Sequence, residues 1–424
     1  MSLIIKHLFK NISILASKHS YLFKQYMKDM TGVLRSSRSL EGRTIVLCIT
    51  GSIAAVRCVE LARELMRHGA NVHAVMTKDA QKILHHEAMK YATGNHAITE
   101  ITGAVEHVEF CGIGGKASLF LIAPCTANTI GKIAHGIDDT TVTTFATTAF
   151  GSGIPIMIVP AMHESMYDHP IVIENIGKLT DLAVEFINPL LDEGAAKIAS
   201  TNEIVLRVER ALCKKTLAGK RIIITGGATA ETIDPIRIIT NRASGKTGVE
   251  LAHEAFRRGA QVTLVHSGCM GIQGICEFNT DSAQEMTETV IEEVGKGCDL
   301  LISAAAISDF TVKPSKEKIK SQKEVTLTLK PAPKLIKEVR RKYPDLKIIG
   351  FKAETRVTED ELIKRAQSSM ESSSLSMVVA NDVSSGGMGT EENDVYLIDT
   401  GIKRVRGAKR EIAVEIMDKV EALI

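Results

Sequence analysis

Small and hydroxyl-bearing residues follow an apolar run early in the sequence and could bind a phosphate group. Gly51, Ser52 and Ile53 come directly after the run Arg43–Thr50. A strand that passes into a helix through such a turn points backbone N–H groups and the positive end of the helix dipole at one spot. The turn matches neither GxGxxG nor a Walker loop, so the pattern alone also fits a plain tight turn.

Polar residues also follow later apolar runs of the first half. The segment 123–129, APCTANT, offers a bend with two hydroxyls and an amide, and Met162 and His163 follow the run Ile154–Pro160. Open α/β sheets bind ligands at the carboxyl ends of their strands, so these residues are candidates for a site. His107 is a candidate general base because imidazole titrates near neutral pH, although a lone histidine is more often structural.

The second half contains a run, SGKTG at 244–248, that invites comparison with a P-loop. Position 240 is Thr where GxxxxGK[ST] requires Gly, and the run does not directly follow an apolar strand, which excludes a Walker A loop. Lys318 has many lysines around it, and such a segment by itself is typical of a solvated surface. The neighbouring lysines are Lys313, Lys316, Lys320 and Lys323.

Hydrophobic periodicity predicts the elements that position these residues. Arg43–Thr50 reads as a buried parallel strand, Val56–His68 as a helix and Asn71–Met76 as the next strand. The second half opens in the same way, since LAGKRIIITGGATA echoes LEGRTIVLCITGSIAA, and the strand Gln261–His266 follows a helical segment. The sequence therefore predicts an α/β fold with two tandem Rossmann-like, doubly wound domains.

The same patterns predict four segments. They are an N-terminal extension at 1–40, a first domain at 41–200, a linker at 201–217 and a second domain at 218–424. The extension has seven Lys or Arg residues, a single acid and apolar residues at helical spacing, which predicts a basic amphipathic helix. A membrane-surface or targeting role, a helix docked on the protein's own surface and an over-extended start of the reading frame all remain open.

Composition excludes several classes of protein. The 52 Lys and Arg residues nearly balance the 50 Asp and Glu residues, so no chain-wide field favours nucleic acid. The apolar runs reach about half of the roughly 18 residues that a membrane helix needs. The eight cysteines form no CxxC pair and no zinc-finger spacing, as expected of free thiols in a reducing compartment. We therefore expect a cytoplasmic protein with no nucleic-acid or membrane partner.

Four ordered motifs of the first half resemble those of the homo-oligomeric flavin-containing cysteine decarboxylases. They are GSIAA at 51–55, EHV at 106–108, APCTANTIGKIA at 123–134 and PAMHESMY at 160–167. The resemblance implies FMN as the cofactor and His107 as the catalytic histidine. Oxidation of the substrate thiol by FMN would create an electron sink beside the carboxylate that is lost. The residues that the resemblance assigns to FMN binding are Gly51, Ser52, Ile53, Thr77, Thr126, Ala127, Asn128 and Met166.

Two positions depart from that family. His163 stands where the family usually has Asn, and the stretch 193–199, which corresponds to an active-site flap with a cysteine, has none. Lys197 is the titratable cation of this stretch and is a candidate proton donor or ligand of the substrate phosphate or thiolate. A solvated lysine on a mobile loop is the alternative.

The second half resembles the phosphopantothenate–cysteine ligase family almost end to end. The matching motifs are ITGGAT at 224–229, DPIR at 234–237, TNRASGKTG at 240–248, SAAAISDF at 303–310, EKIK at 317–320, GFKAET at 350–355 and ANDV at 380–383. The resemblance implies that 4′-phosphopantothenate is joined to cysteine through an acyl-cytidylate, with CTP as substrate and Mg²⁺ as cofactor. Ser369 and Ser372 stand in a stretch where bacterial members have lysines for the nucleotide phosphates.

The ligase resemblance also implies roles for individual residues. Lys318 and Mg²⁺ would stabilise charge on the α-phosphate, and Asn241 would orient the acyl-cytidylate. No residue is assigned to the metal. The residues expected near the nucleotide are Gly226, Gly227, Ala228, Thr229, Asp309, Phe310 and Phe351.

The tandem of both halves resembles the bifunctional family of coenzyme A biosynthesis, and its archaeal members more than its bacterial ones. The resemblance implies ligation followed by FMN-dependent decarboxylation to 4′-phosphopantetheine. It also implies homo-oligomers, with trimers through the first domain and dimers through the second. The alternatives are a flavoprotein of the same fold with other chemistry, such as flavin prenyl transfer, and a non-enzymatic FMN-binding regulatory protein. The former gives no reason for the EHV histidine, and the latter would release no CO₂.

Overall fold

The computed structural model describes residues 37–192, 194–268, 270–320 and 324–424. The chain divides into two compact units between Cys213 and Lys214. Most of the predicted N-terminal extension, residues 1–36, lies outside the described residues. No helix in the described part of the chain is long and apolar enough to cross a membrane.

The first unit is built on a parallel sheet. Its described strands, in chain order, are β1 Thr44–Ile49, β2 Asn71–Met76, β3 Leu119–Cys125, β4 Ile156–Pro160, β5 Met162–His163, β6 Glu185–Phe186, β7 Leu190–Asp192 and β8 Ala195–Lys197. Five of them pair in the order β2-β1-β3-β4-β6, and all four pairings are parallel. The order reverses direction between β1 and β3, which is the topological switch point where such sheets bind ligands.

Helices cover both faces of this sheet. Along β1, Ile45 and Leu47 enter one hydrophobic core, and Val46 and Cys48 enter another on the opposite face. This explains why the strands read as continuous apolar runs. The described helices are a 3₁₀ segment Ile53–Arg57, α1 Cys58–Arg67, α2 Lys78–Gln81, α3 His86–Thr93, α4 Glu106–Cys111, α5 Ala127–Ala134, α6 Thr141–Ser152, α7 Glu164–Tyr167, α8 Pro170–Asp181 and α9 Thr201–Leu212.

The prediction of a linker at 201–217 needs correction. Residues 201–212 form α9, and Ser200 is its N-cap, whose side chain accepts the Glu203 N–H. Ile204, Val205 and Val208 pack into the core of the first unit, because their spacing places them on one face of the helix. The first unit also reaches Leu40, which is fully buried in the same core.

Within the flap stretch, Ala195–Lys197 form strand β8. β5 pairs with β8, and β8 pairs with β7, in a small antiparallel sheet. His163 lies opposite Ala195, and Lys197 is two residues further along the same strand. Because side chains alternate along a strand, His163, Ala195 and Lys197 belong to one face of this sheet.

The second unit is also an α/β layer structure. Its strands are β9 Arg221–Gly226, β10 Ala230–Thr232, β11 Ile238–Thr240, β12 Gln261–His266, β13 Ile275–Asn279, β14 Leu300–Ser303, β15 Phe310–Val312, β16 Leu329–Pro331, β17 Lys347–Glu354, β18 Met377–Asp382, β19 Glu392–Ile398 and β20 Ile402–Ala408. The main sheet has the order β13-β12-β9-β14-β17-β18-β19-β20. The first six strands in that order are parallel, and β19 and β20 are antiparallel additions.

The helices and hairpins of the second unit complete the fold. Its described helices are α10 Lys246–Arg257, α11 Ala283–Gly295, α12 Leu335–Lys342, α13 Glu359–Ser372, a 3₁₀ segment Val383–Ser385 and α14 Lys409–Leu423. Two ribbons, β10 with β11 and β15 with β16, stand apart from the main sheet. The predicted fold class of two tandem, doubly wound α/β domains is confirmed, and the switch point of this sheet lies between β9 and β14.

Candidate functional site

In the first unit, Thr50 joins the turn after β1 to the turn after β3. Its hydroxyl donates to the Pro124 carbonyl at 2.8 Å, and the same oxygen accepts the Thr126 N–H at 3.0 Å. The Thr50 N–H also donates to the Pro124 carbonyl, at 3.2 Å. The predicted residues Ser52 and Thr126 therefore lie on two turns that are held together at the switch point.

Gly51 stands in very close contact with the end of β2. A Cβ atom at Gly51 would lie 2.6 Å from the Cβ of Asp79, in the first turn of α2. Thr77 connects the two elements, since its N–H donates to the Ile49 carbonyl at 3.1 Å and its hydroxyl accepts the Ala80 N–H at 3.1 Å. The absence of a side chain at Gly51 thus permits this close packing against Asp79, and because Gly51 is itself exposed, the backbone of the turn stays accessible to a ligand.

The next predicted residues begin helix α5. Thr126 is its N-cap, and its hydroxyl accepts the Thr129 N–H at 3.3 Å. Ala127 and Asn128 follow in the first turn, where backbone N–H groups have no partner within the helix. This helix end and the 51–53 turn form an edge suited to an anionic group. Ile53 is 77% exposed there.

His107 lies in the first turn of α4 and is half-buried. Its Nδ1 atom is buried and has no hydrogen-bond partner among the described residues, while its ring meets Phe145 edge-on at 6.4 Å between centroids. Val105, which precedes the helix, has φ 49°, a left-handed conformation that is costly for a β-branched residue. An unpartnered imidazole next to backbone strain is typical of a functional site.

Glu106 precedes His107 and is fixed in its ionised form. Hydrogen bonds from the hydroxyl and the N–H of Thr102 lower the pKa of this carboxyl group. The backbone donor lies 2.9 Å from the carboxylate. Glu106 thus anchors the turn that carries the histidine.

The remaining predicted residues of the first unit lie on and beside the small antiparallel sheet. His163 is exposed at the start of α7, and Met166 is exposed within that helix. No hydrogen bond in the described residues links His163 to His107. His163 and Lys197 thus lie on neighbouring strands of the small antiparallel sheet, whereas Gly51, Thr77 and Thr126 lie in the turns that follow β1, β2 and β3.

In the second unit, the carboxyl ends of four parallel strands surround a crevice of about 400 Å³. The strands are β9, β14, β17 and β18, so the crevice lies at the switch point. Two contacts fix its floor: the Ala306 N–H donates to the Gly227 carbonyl at 2.8 Å, and the Asn241 side chain donates to the Ala306 carbonyl at 2.9 Å.

Glycines allow helix α10 to approach β9 closely. A Cβ at Gly248 would lie 2.7 Å from the Cα of Gly226. Gly245 has φ 76°, and a Cβ there would lie 3.1 Å from the backbone of Gly227. The glycines of the SGKTG run thus serve helix–strand packing, and they direct the N-terminus of α10 into the crevice.

The crevice contains some of the predicted ligase residues and not others. Its wall includes Gly227, Asn241, Asp309 and Phe351. Gly226 lies beneath Gly248, and the Thr229 hydroxyl is buried, where it accepts the Ser308 N–H at 2.8 Å. The predicted nucleotide residues outside the described crevice wall are Gly226, Ala228, Thr229 and Phe310.

Lys318 also lies outside the crevice wall, exposed on the segment between β15 and β16. Asp234 holds this segment, because its carboxylate accepts the Ile319 N–H at 3.1 Å. Arg237 donates to the Ile319 carbonyl at 3.0 Å and pairs with Asp234 at 2.6 Å. Burial raises the pKa of Asp234, but N–H donors from Ile236, Ile319 and Arg237 outweigh it and lower the pKa to about 2.

Comparison with known proteins agrees with this division into two units. Residues 33–212 match the family described as Flavoprotein, and residues 217–423 match the DNA/pantothenate metabolism flavoprotein C-terminal domain. The coenzyme A biosynthesis bifunctional protein CoaBC of Thermococcus kodakarensis is 52% identical over 395 residues, which cover 92% of this chain and 97% of that protein. The chain belongs to the CoaBC family.

Other CoaBC proteins and one solved structure are also similar to this chain. CoaBC of Methanocaldococcus jannaschii is 39% identical and covers 93% of this chain and 98% of that protein. CoaBC of Bacillus subtilis is 33% identical, with 91% and 98% covered, so the greater similarity to archaeal members is confirmed. A crystal structure of the C-terminal domain of CoaBC is 28% identical, covers 50% of this chain and 98% of that one, and has a TM-score of 0.42.

Membership of the CoaBC family confirms the predicted function. The chain is a bifunctional enzyme of coenzyme A biosynthesis, with a flavoprotein decarboxylase domain followed by a ligase domain. The two alternatives, a prenyl-transferring flavoprotein and a non-enzymatic regulator, are therefore set aside.

Sequence reasoning missed three lysines in the wall of the CoaBC ligase crevice. Lys246 begins α10 and pairs with Glu391, and Lys352 in β17 pairs with Glu354 at 3.1 Å. Lys409 begins α14. Lys246 belongs to the SGKTG run and could have been identified from it. The position of Lys409, far along the chain, gave no sequence signal.

Proposed function

We propose that the second unit joins 4′-phosphopantothenate to cysteine in its crevice, and that the first unit decarboxylates the product at the edge between β1 and β3. The observation that carries this proposal is the same in both units: residues of the recognised motifs converge at a switch point. In the first unit these are the turns after β1 and β3, and in the second they are the ends of β9, β14, β17 and β18.

The edge of the first unit fits FMN. The open backbone at Gly51 and the N-terminus of α5 are suited to the phosphate, with Ser52, Thr77 and Thr126 as hydroxyl donors near it. Ile53, Ala127, Asn128 and Met166 would line the remainder. When bound, FMN supplies a reversible two-electron acceptor for the substrate thiol carbon.

His107 is the proposed base of the decarboxylation. Its buried Nδ1 atom has no hydrogen-bond partner in the described chain, so an entering substrate group would find an unoccupied nitrogen. The anchored turn at Glu106 holds the imidazole in place, and such a base typically contributes roughly 10²- to 10⁴-fold to a rate.

His163 and Lys197 are the proposed substrate contacts. They share one face of the small sheet, where an imidazole and an ammonium would meet a carboxylate, a phosphate or a thiolate. Lys197 would take the place of a flap cysteine as proton donor. Because Lys197 lies in a strand, its backbone position is fixed by strand pairing, which suits a defined contact with the substrate better than a lysine on an open loop would.

The crevice of the second unit is the proposed site for CTP and the acyl-cytidylate. Asn241 contacts the crevice floor and would orient the intermediate, while Gly227, Asp309 and Phe351 would meet the nucleotide. The described residues include no cluster of three metal-binding side chains. Mg²⁺ would therefore bind together with the nucleotide phosphates, and Asp309 is the carboxylate in the crevice wall that could contact it.

Lys318 would approach the nucleotide from the segment that Asp234 and Arg237 hold. Asp234 binds the N–H of Ile319 and Arg237 binds its carbonyl, and these two hydrogen bonds fix the adjacent Lys318. A lysine on an anchored segment can stabilise charge that develops on the α-phosphate.

Exposed apolar side chains support the proposed homo-oligomers. In the first unit, Ile53, Val56 and Ile113 are exposed, which fits a trimer interface around the flavin edge. In the second unit, the exposed apolar residues of the two ribbons fit a dimer interface. They are Ile236, Ile238, Phe310, Leu327 and Leu329. The free thiols of the described cysteines agree with a cytoplasmic location.

One reaction tests the proposed function. The purified chain is incubated with phosphopantothenate, cysteine, CTP and Mg²⁺, and the products are identified by mass. Phosphopantetheine is expected. Omission of CTP should stop all product formation, and its continued formation without CTP would contradict the ligase assignment.

A further inference from the structure

Lys409 is a buried lysine in the wall of the ligase crevice. It is the first residue of α14 and is 5% exposed. Its ammonium has no hydrogen-bond or ion-pair partner among the residues that the structure describes. Lys246 and Lys352, in the same wall, each have a carboxylate partner. Lys409 therefore differs from its neighbours in being buried without a carboxylate paired to its ammonium.

Burial of an unpaired charge is costly, and proteins normally avoid it. Burial lowers the pKa of Lys409, and the nearby Lys246 lowers it further, while Glu391 acts in the opposite direction. An anion in the crevice would remove this cost. A buried lysine that has no ion-pair partner and faces a cavity is the pattern expected of a ligand contact.

Two other features make the same part of the crevice positive, and one carboxylate opposes them. The twelve-residue helix α10 directs its N-terminus into it, with Gly245 as an N-cap that provides no side-chain bond and with no acid in the first turn. Lys246 supplies a second ammonium. Glu391 supplies the opposing carboxylate, which pairs with Lys246. The backbone carbonyl of Glu391 accepts the Lys409 N–H at 3.1 Å. Two ammonium groups and a helix end thus face one exposed carboxylate.

We propose that Lys409, Lys246 and the N-terminus of α10 form a phosphate-binding subsite, in which Lys409 selects phosphorylated ligands. The inference rests on the proposed function and deepens it, because two of the three proposed substrates of the crevice, CTP and phosphopantothenate, carry phosphate. The phosphate is either the polyphosphate of the nucleotide or the terminal phosphate of phosphopantothenate. The chemistry is the same in both cases: helix N–H groups and two ammonium groups surround a multiply charged anion.

Binding without turnover tests the subsite. The full-length chain, Lys409→Met and Lys409→Arg are titrated by calorimetry with CTP, 4′-phosphopantothenate and pyrophosphate. Cytidine and pantothenate serve as matched ligands without phosphate. Lys419→Met is the control variant, since Lys419 is on the same helix, pairs with Asp399 at 2.8 Å and is not in the crevice wall.

Lys409→Met should weaken pyrophosphate and one phosphorylated substrate by about tenfold or more, the scale of one hydrogen bond to a charged group. Cytidine and pantothenate should bind as before. Lys409→Arg, which keeps the charge, should lose less. A loss confined to CTP identifies the nucleotide polyphosphate, and a loss confined to phosphopantothenate identifies the other phosphate.

The thermal unfolding midpoint gives an independent measurement. Without ligand, Lys409→Met should be at least as stable as the wild type, because it removes a buried, unpaired charge. The proposal fails if Lys409→Met binds all three phosphorylated ligands within about twofold of wild type, if Lys419→Met loses as much, or if Lys409→Met lowers the ligand-free midpoint. The chain could also bind pyrophosphate in a way that depends on Lys409 and yet form no phosphopantothenoylcysteine. That result would support the subsite and contradict the proposed function.

Discussion

Gly51→Ala tests the proposed flavin edge by adding a single methyl group. The new Cβ would lie 2.6 Å from the Cβ of Asp79, whose carbonyl carbon and Cα would be 3.4 and 3.6 Å away. Carbon atoms normally approach to about 3.5–4.0 Å. These neighbours are backbone or directly attached to it, so a rotamer change cannot relieve the contact. The turn at 51–53 must therefore move by roughly 1 Å, at a cost of about 1–3 kcal/mol for such overpacking.

The displacement should weaken FMN binding more than it weakens the fold. Gly51 is exposed, so the turn can yield outwards without disturbing the core. A shift of roughly 1 Å breaks one hydrogen bond to the phosphate, worth about 1.5–3 kcal/mol for a charged acceptor. FMN affinity should then fall by about 10- to 150-fold.

The assay is a fluorescence titration of flavin-free protein with FMN. Gly177→Ala is the control, since Gly177 lies in α8 with no atom within 4 Å of the added Cβ, and it should bind FMN normally. An FMN affinity of folded Gly51→Ala within about twofold of wild type would refute the proposed edge. An equal loss in Gly177→Ala would refute the steric reasoning.

Three further predictions concern individual side chains. Lys318→Gln should suppress pyrophosphate release in the absence of cysteine, whereas Asn241→Asp should spare it; equal loss in both would contradict their separate roles. Because the pKa of Asp234 is lowered to about 2, its contribution to stability is present above the unfolded value near 4 and disappears as the pH falls towards 2. Asp234→Asn should therefore flatten the acid unfolding curve in that window, as followed by circular dichroism, and an unchanged curve would contradict the anchor. Lys197→Ala should accumulate the decarboxylated enethiol with flavin left reduced, and full turnover by this variant would exclude Lys197 as the proton donor.

The parallel strands were the most predictable part of the fold. Asn71–Met76 and Gln261–His266 have the predicted bounds, because a glycine that ends the preceding helix marks the start of each strand and most of the residues that follow are apolar. Helix α9 was missed because the repeated motif that begins at Leu217 led us to assign residues 201–217 to a linker. The apolar face of α9 was nevertheless present in the sequence. The antiparallel strands β19 and β20 carry no motif and were not predicted.

The candidate sites likewise contain residues that could be predicted from the sequence and residues that could not. Local motifs identified the turns at Gly51 and Thr126, since a turn and its helix are encoded by adjacent residues. Lys409 could not be found, because its proximity to Lys246 arises from the packing of α14 against α10 across a long stretch of sequence. The anchoring of Lys318 by Asp234 likewise depends on tertiary contacts rather than on spacing.

The most direct test of two independent sites on one chain is the product mass spectrum of His107→Asn. With phosphopantothenate, cysteine, CTP and Mg²⁺, this variant should form phosphopantothenoylcysteine at the wild-type rate and accumulate it, because the described residues of the ligase crevice wall all belong to the second unit. Phosphopantetheine should fall by roughly 10²-fold or more, the contribution of a general base. Phosphopantetheine formation within about tenfold of wild type, or loss of ligation in this variant, would contradict the account.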